Sequence, residues 1–178
     1  MKLKSVAVLA CFVIPACSVA PEPITGDVLP MKSIFSTMSD RPYECFGYNA
    51  LKNSCKALVK RSVSGDRMKV EGEFLQFLRG RGTVTVRVVS DFKIGETSVC
   101  GNLADAEVSA QSSVIPPHVL DQVLAELKER FDDEGVQCNE YLQDSDGQFF
   151  IRSKDASGRV TGPLDQVWFF SEPKALSG

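Results

Sequence analysis

The chain has 178 residues, of which 43% are hydrophobic and 24% are charged, and its formal net charge is −3 at pH 7. This hydrophobic content is sufficient for an ordinary core and argues against wholesale disorder. An acidic total argues against a nucleic-acid-binding protein, which needs an excess of Lys and Arg on its surface. The length suits a single domain with short additional segments.

The first residues have the composition of a signal peptide. Lys2 and Lys4 form a positively charged head, and nine apolar residues follow at positions 6–14. A helix of this length spans roughly 14 Å, about half of the hydrocarbon core of a bilayer. The run is therefore too short for a transmembrane helix and is typical of the apolar core of a signal peptide.

The apolar run ends in the motif Ile14-Pro15-Ala16-Cys17, in which an aliphatic residue and a small residue precede a cysteine. This motif resembles the lipobox of bacterial lipoproteins, and the resemblance covers only residues 1–20. It implies removal of residues 1–16, attachment of diacylglycerol to the Cys17 thiol and a membrane anchor through that lipid. Ser18, in place of an aspartate, implies sorting to the outer membrane, facing the periplasm. Cleavage after Ala20 without lipid and an uncleaved anchor are the alternatives.

The residues after Cys17 are rich in proline and small side chains, and residues 18–27 show no apolar period. Such a segment cannot form a core, so we interpret residues 17–35 as a lipidated cysteine followed by a flexible tether. The remaining residues, 36–178, are predicted to form a single disulfide-stabilised domain.

Four cysteines remain once Cys11 leaves with the signal peptide and Cys17 takes the lipid. They are Cys45, Cys55, Cys100 and Cys138. An even number of cysteines in an exported chain predicts disulfides, and four cysteines allow three connectivities. We favour Cys45–Cys55, which would flank a hairpin, and Cys100–Cys138, which would clip a helix onto the sheet. A zinc site is the less favoured alternative because no C-x-x-C spacing is present.

The charge is unevenly distributed along the domain. Residues 52–93 hold ten Lys or Arg and four Asp or Glu, whereas residues 94–178 hold six and fifteen. The basic segment could bind anionic lipid headgroups or an acidic partner. The simpler interpretation is that its cations solubilise the outer face and the edges of a sheet.

The first half of the domain has the alternation of antiparallel strands. Residues 44–48 and 54–63 flank the proposed hairpin, and residues 67–78 place Met68, Val70, Gly72 and Phe74 on one side. Residues 83–89 form the clearest strand because β-branched side chains dominate the run. Weaker strand signals lie at 97–100 and 106–110.

One strong helix follows the first strands. Pro116 and Pro117 suit its first turn, and Gly135 suits its end. Its apolar stripe repeats every three or four positions, at Val119, Leu120, Val123, Leu124, Leu127 and Phe131. The polar face is not especially basic, so we expect the stripe to pack on the protein's own sheet and not on a membrane.

A second group of strands is predicted at 136–143, 148–153 and 166–170. Asp146-Gly147 favours a hairpin turn between the first two. The order of elements therefore predicts an α+β domain. Its sheet is mainly antiparallel, built from strand meanders, and one amphipathic helix packs on a face.

The sequence contains no catalytic motif and implies no cofactor. His118 is the only histidine, and no G-x-S-x-G is present, so a nucleophile–base pair is not apparent. The segment 144–147 matches only part of a calcium loop, since Leu142 and Ser153 stand where acids are needed. We therefore predict no metal site and no enzyme. Catalysis by two carboxyl groups stays open because it needs only proximity in space.

Aromatic residues are the one positive indication of a binding surface. Phe149-Phe150 and Phe169-Phe170 are adjacent pairs within strands, so one member of each pair must point to the opposite face of the sheet. Phe150, Trp168 and Phe170 are the predicted partner-binding residues. The simpler interpretation is that most of these aromatics belong to the core.

These observations give three hypotheses for function. The first is a non-catalytic cell-envelope lipoprotein that binds or scaffolds an envelope protein. The second is a periplasmic inhibitor or binding module for a soluble target such as a cell-wall hydrolase. The third is a carboxylate-dependent hydrolase. Exposed aromatics would favour the first, a rigid protruding loop at 80–82 or 144–147 the second, and two converging acids the third.

Overall fold

The computed structural model describes residues 26–177, and the regular elements in this part of the chain are mostly strands. The strands are β1 (Asp27–Val28), β2 (Tyr43–Phe46), β3 (Ser54–Cys55), β4 (Ala57–Ser64), β5 (Arg67–Leu78), β6 (Gly82–Ile94), β7 (Ser98–Asn102), β8 (Glu107–Gln111), β9 (Val136–Gln143), β10 (Phe149–Asp155), β11 (Asp165–Phe170) and β12 (Ala175–Leu176). The helices are α1 (Met31–Asp40), α2 (Pro117–Glu134) and a 3-10 turn (Leu103–Asp105). Neither α-helix of residues 26–177 is long and apolar enough to cross a membrane.

Eight strands form a closed antiparallel barrel. Their order is β9-β10-β11-β2-β4-β5-β6-β7, and β7 pairs back onto β9. Two meanders build this ring, β2 to β7 and β9 to β11, and each leaves two free edges. The pairs β7–β9 and β11–β2 join these edges, which removes the exposed hydrogen-bonding groups of an open sheet.

The predicted fold class, an open α+β meander sheet with one helix on a face, is therefore wrong. The strands were predicted close to their observed positions, but alternating sequence patterns are the same in an open sheet and in a barrel. Closure depends on pairing between strands that are distant in sequence, such as Tyr43–Phe46 with Asp165–Phe170. The domain also contains a helix, α1, that the sequence analysis did not predict.

Helix α1 closes the end of the barrel at which the described chain begins. Its side chains at positions 31, 34 and 38 follow the helical repeat, and Met31 and Ile34 are at most 1% exposed. They belong to one core with side chains from six barrel strands: Met68, Phe92, Val99, Tyr141, Ile151, Val167 and Phe169. The predicted tether extended to residue 35, whereas the folded domain already includes β1 and α1.

Substitution of Ile34 tests how closely α1 fits the barrel. Ile34→Val removes one buried methylene, so we expect the free energy of unfolding to fall by about 1 kcal/mol. Urea unfolding followed by circular dichroism measures this change. Ser36→Ala on the exposed side of the same helix should change it by less than about 0.5 kcal/mol. Equal effects of the two substitutions would contradict the placement of α1 in the core.

Strands β5 and β6 are the longest of the described strands and extend beyond the barrel. On one face of β6, Ser90 and Phe92 lie toward the barrel, whereas Val84 and Val86 are buried against α2. Strand β8 pairs with the outer half of β6 and widens this extension. The helix therefore packs on an overhanging ribbon next to the barrel mouth, because the ribbon exposes an apolar face that must be covered.

The antiparallel pairings assign each turn to one of two ends of the barrel. The N-terminal end contains residue 26, α1 and the turns β4–β5, β6–β7 and β9–β10. The opposite end, here called the hairpin end, contains the β5–β6 turn, the loop between β2 and β3, the β10–β11 connection and α2. The N-terminal end is therefore the one that the chain from the predicted anchor at Cys17 enters, and the hairpin end lies opposite it.

Candidate functional site

The barrel interior contains one buried ion pair in an otherwise apolar core. Glu44 of β2 and Arg61 of β4 are 1% and 7% exposed, and the Arg61 guanidinium donates to the Glu44 Oε2. The Arg61 guanidinium carbon also lies 5.7 Å from the centre of the Tyr141 ring, which allows a cation–π interaction. Both charged residues were placed inward by the two-residue period of their strands.

Burial dominates the protonation equilibria of Glu44 and Tyr141, the two acidic groups of this cluster. It raises the pKa of the Glu44 carboxyl, and the attraction of Arg61 opposes this shift only in part. Burial also raises the pKa of the Tyr141 hydroxyl well above its ordinary value. Within residues 26–177, Glu44 Oε1, Arg61 Nη1 and Tyr141 Oη have no hydrogen-bond partner. The cluster is enclosed by core side chains, so it is a structural element and not a surface cleft.

Other carboxyl groups with shifted pKa values are held as anions by neighbours on the outer surface. The Arg87 guanidinium donates to Glu71 and lowers its pKa. Burial raises the pKa of Glu140, but hydrogen bonds from Lys154 and Arg152 outweigh it and lower the pKa. These carboxylates act in ion pairs between neighbouring strands, which gives no support to a pair of catalytic acids.

The adjacent aromatic pairs divide between the two faces of the barrel wall, as their alternation predicted. Phe149 and Phe169 point inward and make an edge-to-face contact, with 5.2 Å between ring centres. Their neighbours Phe150 and Phe170 therefore lie on the outer surface. Phe150 is only 7% exposed, which leaves little of its side chain available to a partner.

Trp168 and Phe170 are brought together on the outer surface by a residue that the sequence analysis did not assign to the site. The Tyr48 ring lies 5.8 Å from Trp168 and 4.9 Å from Phe170, and the Lys174 ammonium lies 4.6 Å from the Phe170 ring. Both Trp168 and Phe170 are half-buried. The β2–β3 loop and the segment after β11 cover part of both side chains.

The two disulfides have the connectivity that the spacing favoured. Cys45–Cys55 anchors β3, which pairs in parallel with β12 outside the seam between β2 and β11. Cys100–Cys138 joins directly opposite residues of β7 and β9, with 4.1 Å between their Cα atoms. It links two barrel strands across a seam, and does not clip α2 to a sheet as expected.

The hairpin end presents accessible apolar surface next to cationic groups. Phe77 is 61% exposed and Val114 is 70% exposed, beside the turn that carries Arg79 and Arg81. Within residues 26–177 neither arginine is within 4.0 Å of a carboxylate. We call the set Phe77, Arg79, Arg81 and Val114 the hairpin tip.

A groove of about 340 Å³ separates the hairpin from α2. It is lined by Phe77, Leu78, Arg79, Arg81, Val119, Gln122, Val123 and Glu126. The turn is fixed by a hydrogen bond from the Arg81 amide to the Leu78 carbonyl, and Gly80 adopts a φ of 72°, which favours glycine. The tip is therefore a preorganised turn on long paired strands.

The sequence did contain a signal for this surface. Along β5 the inward positions are even-numbered from Met68 to Phe74, so Phe77 falls on the outward side, two residues before Arg79 and four before Arg81. A large apolar side chain at an outward position near a basic turn is a candidate contact residue. The turn at 144–147, the other candidate protruding loop, owes its acidic residue to local structure. The Asp144 carboxylate accepts hydrogen bonds from the amides of Asp146 and Gln148.

A second groove lies where β6 changes partner from β8 to β7. It has a volume of about 560 Å³, and both cations and carboxylates line it, among them Lys69, Lys93, Asp105 and Glu107. No group of three or more potential metal ligands occurs within residues 26–177. The charged residues of this groove are of both signs, whereas those of the hairpin tip are both arginines.

Comparisons with protein-family models, with curated proteins and with solved structures each return no match to this chain.

Proposed function

We propose that this protein is a non-catalytic cell-envelope lipoprotein that binds an envelope protein through its hairpin end. The lipid at Cys17 anchors it to the outer membrane, facing the periplasm. The observation that carries the proposal is the exposed apolar and cationic hairpin tip, which projects beyond a closed barrel. Exposed apolar side chains of this size commonly mark contact surfaces for other proteins.

The position of the anchor supports a partner located away from the membrane surface. The ten residues from Cys17 to Gly26 are joined by nine Cα–Cα steps, which reach at most about 31 Å when fully extended. Strand β6, with 13 residues, is about 43 Å long. Because the described chain begins at the N-terminal end of the barrel, such a tether keeps that end within reach of the lipid and is too short for the domain to stand inverted with the hairpin tip toward the bilayer.

The barrel interior supports a binding function at the outer surface. Helix α1 fills one end, and the side chains of Met68, Val99 and Tyr141 are fully buried in the centre. A barrel that carries a small molecule inside needs an open lumen. Glu44, the buried carboxyl with a raised pKa, is paired with Arg61 inside this core. A substrate could not reach it there, so it does not favour the hydrolase hypothesis.

Photo-crosslinking in living cells tests the proposal. A photoreactive amino acid at position 77 should capture one envelope protein, because Phe77 lies at the exposed tip. The matched control is position 63, where Val63 is 46% exposed at the N-terminal end. Capture at neither position, or equal capture at both, would contradict binding through the hairpin end.

The same hairpin favours inhibition of a soluble target as a second candidate function. A rigid turn on two long strands can enter the cleft of an enzyme with little loss of conformational entropy. The purified protein should then inhibit a cell-wall hydrolase, and Phe77→Ser should weaken the inhibition. Full activity of a panel of wall hydrolases in its presence would reject this candidate and leave the scaffold proposal to the crosslinking experiment.

A further inference from the structure

We infer that the groove between the hairpin tip and α2 binds an acidic protein segment that carries an apolar anchor residue. This inference rests on the proposed function and specifies the chemistry of its partner. It depends on the exposed Phe77 ring, the two arginines at the rim of the groove and the position of the groove relative to the anchor.

The rim of the groove provides an apolar contact. Phe77 stands 61% exposed at the rim, whereas Val119 and Val123 of α2, which close the base, are both 7% exposed and offer little surface. An aliphatic or aromatic side chain of a partner would therefore gain most of its apolar contact by covering Phe77. Burial of such an anchor contributes about 25 cal/mol for each Å² of apolar surface removed from water.

The charges of the groove are arranged asymmetrically. Arg79 and Arg81 lie on the hairpin side, and neither forms an ion pair within residues 26–177, whereas Glu126 lies on the α2 side. Carboxylates of a partner are therefore attracted to the hairpin side and repelled from the helix side. This asymmetry would orient the bound segment and raise its association rate.

An anionic membrane is the other surface that could attract arginines and phenylalanine. The protein segment is favoured because residue 26 lies at the opposite end of the barrel from the tip. A tether of at most about 31 Å is shorter than the length of β6, about 43 Å. The tether is therefore too short for the domain to stand inverted, with its tip pointing at the bilayer that would receive the Cys17 lipid.

Binding of a designed peptide to the full-length protein in detergent tests the inference. The probe is a fluorescent peptide with leucine anchors flanked by glutamates, and one control peptide carries glutamines in place of the glutamates. We expect the acidic peptide to bind at least about tenfold more tightly, and added salt to reduce this difference. Equal binding of the two peptides would overturn the inference.

Variants at the two ends of the barrel locate the binding site. Arg79→Glu combined with Arg81→Glu, and separately Phe77→Ser, should each weaken binding of the acidic peptide about tenfold or more. Arg67→Glu and Val63→Ser are the matched controls at the N-terminal end and should leave affinity within about twofold. An equal loss in the controls would overturn the assignment to the groove.

Hydrogen exchange of the protein in lipid vesicles distinguishes the two surfaces. In phosphatidylcholine vesicles, addition of phosphatidylglycerol should leave exchange in residues 75–83 unchanged. Protection that depends on phosphatidylglycerol and disappears in the doubly reversed arginine variant would identify a membrane surface and overturn the inference. Position 77 could also crosslink to a partner that has no acidic segment with an apolar anchor. That result would overturn this inference but would sustain the proposed function.

Discussion

Arg61→Met is expected to lower the free energy of unfolding by about 3–5 kcal/mol, because it leaves the Glu44 carboxylate buried without its counter-ion. Glu44 is 1% exposed, so water cannot replace the lost guanidinium without opening the barrel. The total stability of a domain is typically about 5–15 kcal/mol, and the variant would lose a large part of it. Urea unfolding at neutral pH measures the change.

The double variant separates the cost of an unpaired charge from the loss of packing. Glu44→Leu combined with Arg61→Met removes both charges, so its cost should be well below that of Arg61→Met alone. If the double variant lost as much stability as the sum of the losses from Glu44→Leu alone and Arg61→Met alone, Glu44 and Arg61 would not be a coupled pair.

The pH dependence of Arg61→Met provides an independent check. Burial raises the pKa of Glu44 in the folded state, and loss of Arg61 removes the attraction that opposes this shift. A carboxyl with a raised folded-state pKa binds its proton more tightly in the folded protein, so acidification favours folding of the variant. The stability difference between wild type and variant should shrink as the pH falls from neutral through that raised pKa. A constant or growing difference would show that Glu44 is not the group responsible.

Removal of the Cys100–Cys138 disulfide is expected to cost about 4 kcal/mol on the chain-entropy estimate for a loop of this size. The two cysteines are 38 residues apart and lie opposite each other on β7 and β9. Without the bond, the seam between the two meanders depends on strand pairing alone. Chemical unfolding of Cys100→Ala combined with Cys138→Ala measures the loss.

Hydrogen exchange should show where the barrel opens in that variant. Amides of β7 and of the first half of β9 should lose protection, whereas the β11–β2 seam should keep it. Cys45→Ala combined with Cys55→Ala is the matched control and should loosen β3 and β12. Uniform loss of protection in both variants would contradict a local role for each disulfide.

The closed barrel has a consequence for the proposed binding surface. The β5–β6 hairpin is continuous with two barrel strands, and α2 buries its inner face through Val84 and Val86. Its tip is therefore held by a second hydrophobic core between α2 and the ribbon, distinct from the barrel core that surrounds Glu44 and Arg61. A protein that loses this second core should also lose its binding surface, whereas Phe77→Ser should affect the surface alone.

Local chemistry determined most of the elements of this protein. The alternation from Met68 to Phe74, the β-branched run after Gly82 and the apolar stripe of α2 gave strands and a helix close to their observed positions. The favoured disulfide pairing followed from the number and spacing of the cysteines. Helix α1 was missed although its side chains at 31, 34 and 38 follow a helical period, because a proline-rich segment precedes it.

Only the tertiary structure decided whether the sheet was open or closed and what its surfaces could offer. The β7–β9 and β11–β2 pairings join segments distant in sequence, and no local pattern specifies them. The same period of two places Glu44 inward and Phe77 outward, but only closure makes one a buried ion and the other an exposed tip. The tendency of a segment to form a strand or a helix is set by nearby residues, whereas the pairing of a strand and the burial of its side chains depend on the elements that surround it.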